Sequence, residues 1–176
     1  IACGDSYTQG EGLEKKTQAY PYLLDKNVTN LAQSGASEYL ITAQIEEAVK
    51  LNPDLISVGH TSEYRWEVWD GQNYRQGFIV ANHVLRNEKY YRNWILSEQI
   101  LANRRKNTKE HQAAWHAAGM LYFSDENEVR EIWESLVAKQ ILVTEKAGIP
   151  TIHHCCFPHL HNRLSNLTEN FVSFHL

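Results

Sequence analysis

The sequence has few cysteines and no long hydrophobic run, and both absences limit what the protein can be. Its three cysteines, of which Cys155 and Cys156 are adjacent, make no disulfide framework and fit a reducing compartment. No apolar run approaches the roughly 20 residues that cross a bilayer. Residues 1–12 lack the basic start and the apolar core of a signal peptide. We therefore expect no membrane partner and a cytoplasmic location.

The chain also lacks an excess of positive charge. It has 17 basic and 21 acidic residues, a net charge of −4, which gives no reason to expect a nucleic acid partner. The 176 residues are enough for one domain and too few for two independent cores. A composition of 43% hydrophobic and 22% charged residues is that of an ordinary globular protein.

Apolar runs and helical periodicities alternate along the chain, as in an α/β protein. Leu40, Ile41, Ile45 and Ala48 recur at helical spacing after a good N-cap at Ser37. The pattern predicts a strand at the N-terminus, helices over 19–26, 38–50 and 126–147, and strands over 28–32, 54–59, 149–156 and 171–176. Strands and helices in series predict a parallel sheet with helices on both faces, a three-layer α/β/α sandwich.

Residues 60–124 break this rhythm and read as an insertion, with helices predicted near 88–105 and 109–121. Eight of the 19 aromatic residues of the chain fall within residues 64–94: Tyr64, Trp66, Trp69, Tyr74, Phe78, Tyr90, Tyr91 and Trp94. Such density fits a stacking surface for sugars or a contact with a protein partner, and packing of the insertion onto the sheet is the alternative.

Ligands of parallel α/β sheets bind beyond the carboxyl ends of the strands, so the loops there are where chemistry is expected. The first loop, in "IACGDSYTQGEG", offers Asp5 and Ser6 directly after the first strand. The second offers Gly35, whose N–H can approach a ligand closely because glycine has no side chain. These loops are the candidate site.

Gly4-Asp5-Ser6 followed by Asn30-Leu-Ala-Gln-Ser-Gly35 resembles the first two sequence blocks of the SGNH (GDSL-type) hydrolases. The resemblance implies a flavodoxin-like sheet, Ser6 as the nucleophile, the N–H groups of Ser6 and Gly35 as oxyanion donors, and Asp5 as a structural support of the turn. A serine attacks only when a base takes its proton, and the oxyanion needs preorganised donors. An ordinary turn serine at position 6 is the alternative.

The third block departs from the family pattern Gly-x-Asn-Asp. Here Thr61 stands at the position of the asparagine, where its hydroxyl could donate to the oxyanion, and Ser62 stands at that of the aspartate. The run Thr-Ser-x-x-Arg-x-Glu resembles SGNH-like proteins encoded by tailed phages, which adds the virion as a second expected location. Arg65 and Glu67 either brace this loop as a pair, or Arg65 holds an acidic substrate.

The family's last block, Asp-x-x-His, which supplies the base and its orienting acid, does not occur in the sequence. We expect the natural chain to start before Ile1 and to continue past Leu176, with this block within about 15 further residues. The run His153-His-Cys-Cys156 with His159 and His161 prompts a metal site as an alternative, but alternation along a strand puts His153 and Cys155 on one face and His154 and Cys156 on the other. A site of His159 and His161 with one further ligand stays open as an alternative. We expect no metal and no cofactor.

The resemblance predicts a serine ester hydrolase that cleaves an acyl ester or a carbohydrate ester through an acyl-enzyme on Ser6. A small-molecule or carbohydrate ester is then the substrate. The alternative is a non-catalytic SGNH-like module with a structural or glycan-binding role, for instance in a phage particle.

Overall fold

The computed structural model describes residues 1–63, 65–69, 74–78 and 126–173, with side chains omitted for 66–69, 74–78 and 126. The chain divides into two compact units, Ile1–Phe78 with Glu131–Leu176, and Ile79–Arg130. The helices predicted near 88–105 and 109–121 and the end of the chain beyond residue 173 lie outside the described residues. None of the helices in the described ranges is long and apolar enough to cross a membrane.

The first unit is built on a parallel sheet. The strands in chain order are β1 (Ala2–Cys3), β2 (Ile56–His60), β3 (Arg65–Trp69), β4 (Tyr74–Phe78), β5 (Thr151–Cys155) and β6 (Phe171–Ser173). Four of them form one sheet in the order β1-β2-β5-β6, and every pairing in it is parallel. The α/β class expected from the sequence is therefore confirmed.

The described helices are α1 (Ser6–Gln9), α2 (Tyr20–Leu24), α3 (Glu38–Lys50), α4 (Glu126–Ala147) and α5 (His161–Leu167). The bounds of α3 are those predicted, because the Ser37 hydroxyl accepts hydrogen bonds from the N–H groups of Tyr39 and Leu40 and starts the helix. Gly148 ends α4 with φ of 67°, the left-handed conformation that glycine adopts without strain.

Three helices cover one face of the sheet. Ile56 and Val58 of β2 pack against Ile41 and Ile45 of α3. On the same face, Cys155 of β5 packs against apolar side chains of α4, α5 and the turn before α5: Trp133, Val137, Leu160 and Leu164. The core of the unit lies between this face and these helices.

The opposite face is contacted by the N-terminal segment and is only partly covered. Tyr20 at the start of α2 hydrogen bonds to Ser57 of β2 and His154 of β5. Ile152 on this face remains 37% exposed, so the strand predicted over 149–156 is not fully buried at this position.

The predicted strand over 28–32 is reduced to a single parallel bridge between Asn30 and Ala2. Thr29 O and the Leu31 N–H bond to the backbone of Ala2, but the Asn30 side chain then accepts from Ala32 N–H and turns the chain away. The local turn formed by an asparagine side chain thus competes with the ladder and ends it.

Several elements were not predicted from the sequence or were predicted with other bounds. Strands β3 and β4 form an antiparallel two-stranded sheet inside the segment interpreted as a helical insertion. No helix was predicted over His161–Leu167, where the structure has α5. The strand predicted over 171–176 is present as β6, which pairs with β5 from residue 171.

Candidate functional site

Ser6 lies where β1 ends at the carboxyl edge of the sheet. Gly4 between them has φ of 154°, and a Cβ there would lie 2.8 Å from Thr8 Cβ and 2.9 Å from Gly59 O. Glycine is therefore required at this position. Gln44 of α3 fixes the backbone of this turn. Its Oε1 accepts from Gly4 N–H at 2.7 Å, and its Nε2 donates to Gly4 O at 3.2 Å.

The side chain of Ser6 is half-buried, and its hydroxyl makes no hydrogen bond with any other residue in the described part of the chain. Ser6 is the first residue of α1, so its backbone N–H has no partner within the helix. None of the described residues outside the helix accepts from this N–H either. Both the hydroxyl and the N–H of Ser6 are therefore available to a ligand.

Asp5 is buried and supports this turn from three sides. Its Oδ1 accepts from Tyr7 N–H at 3.0 Å, which caps α1. Its Oδ2 accepts from the Thr61 hydroxyl at 3.0 Å and pairs with the guanidinium of Arg65. Burial raises the pKa of the Asp5 carboxyl, while the neighbouring charge of Arg65 and the hydrogen bonds act in the opposite direction.

Gly35 lies in a loop that is tied to the same end of the sheet. Gln33 N–H donates to Gly4 O at 3.1 Å, and Ser34 N–H donates to Gln9 Oε1 at 3.1 Å. Gly35 itself has φ of 77°, a left-handed conformation that glycine tolerates. Its N–H has no hydrogen-bond partner among the residues described here, so the loop presents a second open donor.

Thr61 is fully buried, and each of its polar groups has a partner. The hydroxyl donates to Asp5, the N–H donates to Glu38 Oε2 at 3.2 Å, and the carbonyl accepts from Trp133 Nε1 at 3.0 Å. A hydroxyl has one proton. In this arrangement the Thr61 hydroxyl supports Asp5, and donation from Thr61 to an oxyanion stays a prediction.

Arg65 braces the loop after β2 by pairing with Asp5. Its side chain is 7% exposed, which leaves little of the guanidinium in contact with solvent. The side chain of Glu67, its partner in the prediction, lies outside the described residues, so that pairing stays a prediction.

A buried polar network that the sequence did not reveal lies beneath the site. Glu38 Oε1 is 2.7 Å from His60 Nδ1 and accepts from Gln140 Nε2 at 2.8 Å. His60 Nε2 is in turn 2.9 Å from His153 Nδ1. Glu38 directly follows the N-cap residue Ser37 in the sequence. Carboxylates at this position of a helix are usually exposed, so the burial of Glu38 was not predicted.

The histidines on β5 face opposite sides of the sheet, as alternation predicts. Burial lowers the pKa of His153 and of His154 to about 3, with a smaller contribution from His60 in each case. His154 bonds to Tyr20 on the far face, at 2.6 Å from the phenol oxygen. Within the described ranges no group of three or more His, Cys, Asp or Glu side chains could hold a metal ion.

The loop after β5 reaches the helix that carries Ser6. The Phe157 ring meets Tyr7 of α1 edge to face, with centroids 6.2 Å apart, and the guanidinium of Arg65 lies 6.0 Å from the Phe157 centroid. The loops after β1, β2 and β5 therefore converge at one end of the sheet. Comparisons with protein-family models, curated proteins and solved structures found no match to this chain.

Proposed function

We propose that the chain is an SGNH-type serine ester hydrolase in which Ser6 is the nucleophile and the N–H groups of Ser6 and Gly35 form the oxyanion hole. One observation carries the proposal: the Ser6 hydroxyl and both N–H groups lack hydrogen-bond partners among the described residues, at the edge of the sheet where the side chains of Asp5 and Thr61 are paired. The oxyanion of a tetrahedral intermediate is stabilised by N–H donors that are held in place and are free to bind it.

The order of the strands and the contacts of Tyr20 also support the proposal. If the Asn30 bridge beside β1 is counted as a strand and the strands of this sheet are numbered in chain order, their order is 2-1-3-4-5, which supports the proposal of a flavodoxin-like sheet. Contacts of Tyr20 on the face opposite α3, α4 and α5 agree with a three-layer sandwich. In such sheets ligands bind beyond the carboxyl ends of the strands, where Ser6 lies.

The reaction follows from these groups. Oγ of Ser6 attacks the ester carbonyl carbon, and the two N–H groups donate hydrogen bonds to the carbonyl oxygen, which becomes negatively charged. Each such donor is worth about 10²–10³ in rate. Asp5, bonded to Thr61 and Arg65, keeps the turn in place and does not act on the substrate.

The test is hydrolysis of p-nitrophenyl acetate and of an acetylated oligosaccharide by the wild-type chain, Ser6→Ala and Ser135→Ala. Ser135 is exposed on α4 and serves as the matched control. We expect kcat/KM of Ser6→Ala to fall by at least about 10³-fold and that of Ser135→Ala to be unchanged. Equal rates for Ser6→Ala and wild type would overturn the proposal.

A second function, a non-catalytic glycan-binding or structural module, is favoured by two observations. Thr61 directs its hydroxyl to Asp5, and none of the described histidines hydrogen bonds to Ser6. A chain that binds acetylated oligosaccharides with equal affinity before and after Ser6→Ala, and that releases no acetate, would be such a module. Calorimetric titration together with acetate release distinguishes the two functions.

A further inference from the structure

Three side chains with rings form a row at the edge of the sheet where Ser6 lies. The Tyr7 ring meets Phe157 edge to face, with centroids 6.2 Å apart and an interplanar angle of 88°. Phe157 meets the His159 imidazole in a similar way, at 6.1 Å and 70°. We call Tyr7, Phe157 and His159 the aromatic row. It begins at the residue after Ser6, so a ligand bound at this end lies beside the candidate nucleophile.

The two ends of the aromatic row are open to solvent. Tyr7 is 60% exposed and the His159 side chain 55%, whereas Phe157 between them is half-buried. Among the Phe, Tyr and Trp side chains of the described ranges, the other exposed one is Tyr39 on α3. Large aromatic side chains supply much of the binding energy where a protein meets a ligand. Their exposure beside Ser6 therefore points to a ligand that covers them.

A buried carboxylate holds the far end of the aromatic row. Glu63 Oε2 lies 3.1 Å from His159 Nε2, and the Glu63 side chain is 2% exposed. An ionised carboxylate only accepts hydrogen bonds, so in the neutral imidazole Nε2 carries the proton and Nδ1 the lone pair. None of the described residues bonds to Nδ1 or to the Tyr7 hydroxyl. Both ends of the row thus offer a polar group to a ligand.

The surroundings of the aromatic row select among ligands. A nucleic acid needs cations for its phosphates, but the cation that contacts the row among the described residues, Arg65, is 7% exposed and paired with Asp5. An acyl chain needs a concave apolar pocket, whereas the ends of the row are open and polar. A sugar ring has C–H groups on its face and hydroxyl groups at its rim. This pattern fits exposed rings with hydrogen-bonding groups beside them.

We propose that the aromatic row is a subsite for the neutral sugar rings of an oligosaccharide ester, an inference that rests on the proposed function of Ser6. The sugar ring that carries the ester stacks on Tyr7, and the following rings extend over Phe157 to His159. There Nδ1 accepts a hydrogen bond from a sugar hydroxyl. Tyr7 and His159 are then specificity-determining residues, and neither takes part in the bond-breaking steps.

The first test measures binding, which needs no turnover. Calorimetry with chains that carry Ser6→Ala gives the Kd of O-acetylated hexasaccharides of glucose, xylose and N-acetylglucosamine. We expect at least one of them to bind, and adding Tyr7→Ala to raise its Kd about 10-fold. Adding His159→Ala should raise it about 3-fold, for the loss of one hydrogen bond. Tyr7→Phe, which keeps the ring, should stay within about 3-fold.

Two features of the chain make these variants interpretable. Alanine at position 7 keeps the N–H that donates to Asp5, so the cap of α1 is retained. Tyr39 is 55% exposed on α3, and Tyr39→Ala is the matched control, with an unchanged Kd expected.

The second test measures kcat and KM of the same variants with Ser6 in place. Its substrates are the acetylated hexasaccharide that binds and ethyl acetate, which has no ring. Tyr7→Ala should raise KM for the hexasaccharide more than it lowers kcat. The ratio of kcat/KM for the hexasaccharide to that for ethyl acetate should fall about 10-fold. Tyr39→Ala should leave this ratio unchanged.

The outcomes separate the subsite from the hydrolase. A wild-type Kd in Tyr7→Ala, or a chain that binds none of the hexasaccharides, overturns the subsite and leaves Ser6-dependent hydrolysis of ethyl acetate standing. Equal losses of kcat/KM on both substrates would mean that Tyr7 only supports the turn, which also overturns the subsite. Tyr7-dependent binding without Ser6-dependent turnover supports the subsite and overturns the hydrolase.

Discussion

Asp5 is the residue on which the geometry of the Ser6 turn depends most. It is buried in an ion pair with Arg65 and also caps α1. Removing one partner of such a pair leaves the other charge buried without compensation, and we expect Asp5→Ala to lower the free energy of unfolding by about 3–5 kcal/mol. Urea denaturation measures this change.

The matched control for Asp5→Ala is Asp54→Ala, since Asp54 is exposed before β2. Its effect should stay within about 0.5 kcal/mol. The double variant Asp5→Ala/Arg65→Leu should be less destabilised than the sum of the two single variants, because it buries no unpaired charge. Additive effects would show that the pair does not contribute as described.

The histidines of β5 predict a pH dependence of stability. The folded-state pKa of His154 is about 3 and its ordinary value is 6.5, so between these values the unfolded chain binds the proton and the folded chain does not. The stability that neutral His154 contributes is complete above about pH 6.5 and is lost as the pH falls. From pH 7 to pH 5 the free energy of unfolding should fall by up to about 2 kcal/mol for this residue.

Urea denaturation of wild type and His154→Gln at pH 7, 6 and 5 isolates this contribution. His153 contributes in the same direction, whereas the raised pKa of Asp5 contributes in the opposite one. Both residues are present in the two proteins, so the difference between the proteins reports His154 together with its effect on the pKa of His153. The variant should lose less stability on acidification than wild type. An equal loss in both would contradict a neutral, buried His154.

At the scale of elements, α3 holds the turn that follows β1. The Gln44 amide makes two hydrogen bonds with the backbone of Gly4, and both are buried. Gln44→Ala leaves the Gly4 N–H without a partner, whereas Gly4 O still accepts from Gln33 N–H, and we expect a loss of about 1–3 kcal/mol in the free energy of unfolding. Thermal and urea unfolding of purified variants test this.

Glu47→Ala on the exposed side of the same helix is the control for Gln44→Ala, with an expected effect within about 0.5 kcal/mol. Comparable losses in the two variants would indicate that helix propensity, and not the contact with Gly4, determines the effect. A stable Gln44→Ala chain would mean that the turn holds its shape without α3.

The elements with a strong local signal were predictable from the sequence. Ser37 and the apolar positions that follow it gave the bounds of α3, and Gly148 gave the end of α4. The strand over 28–32 was not predictable in its true form, because a side-chain turn at Asn30 replaces the ladder after one bridge. Helix α5 has no side-chain cap to mark its start, so it was not predicted.

The site was predictable only in part, since spacing reveals sequence neighbours and not partners from distant elements. Asp5 and Ser6 stood out as a turn after a strand. The partners of Asp5, Thr61 and Arg65, come from 56 and 60 residues away. The pair of Glu63 and His159, 96 residues apart, exists because β2 and β5 are neighbours in the sheet, a pairing that no local pattern encodes.

At the scale of the whole molecule, the order of the strands determines where stability is greatest. Strands β2 and β5 have a partner on both sides, whereas α2 is short, and its Leu23 and Leu24 are 73% and 75% exposed. Native-state hydrogen exchange should show the slowest amides in Ile56–His60 and Thr151–Cys155 and much faster exchange in Tyr20–Leu24. Slower exchange in α2 than in β2 would contradict this topology.

The same order brings the loops after β1, β2 and β5 to one edge of the sheet, and the function that we propose depends on Ser6 being nucleophilic there. Incubation of the full chain with a fluorophosphonate, followed by peptide mapping by mass spectrometry, tests this most directly. We predict one phosphonyl adduct per chain, on Ser6, absent from Ser6→Ala and retained in Ser135→Ala. A folded chain that stays unlabelled, or one labelled equally after Ser6→Ala, would contradict the account.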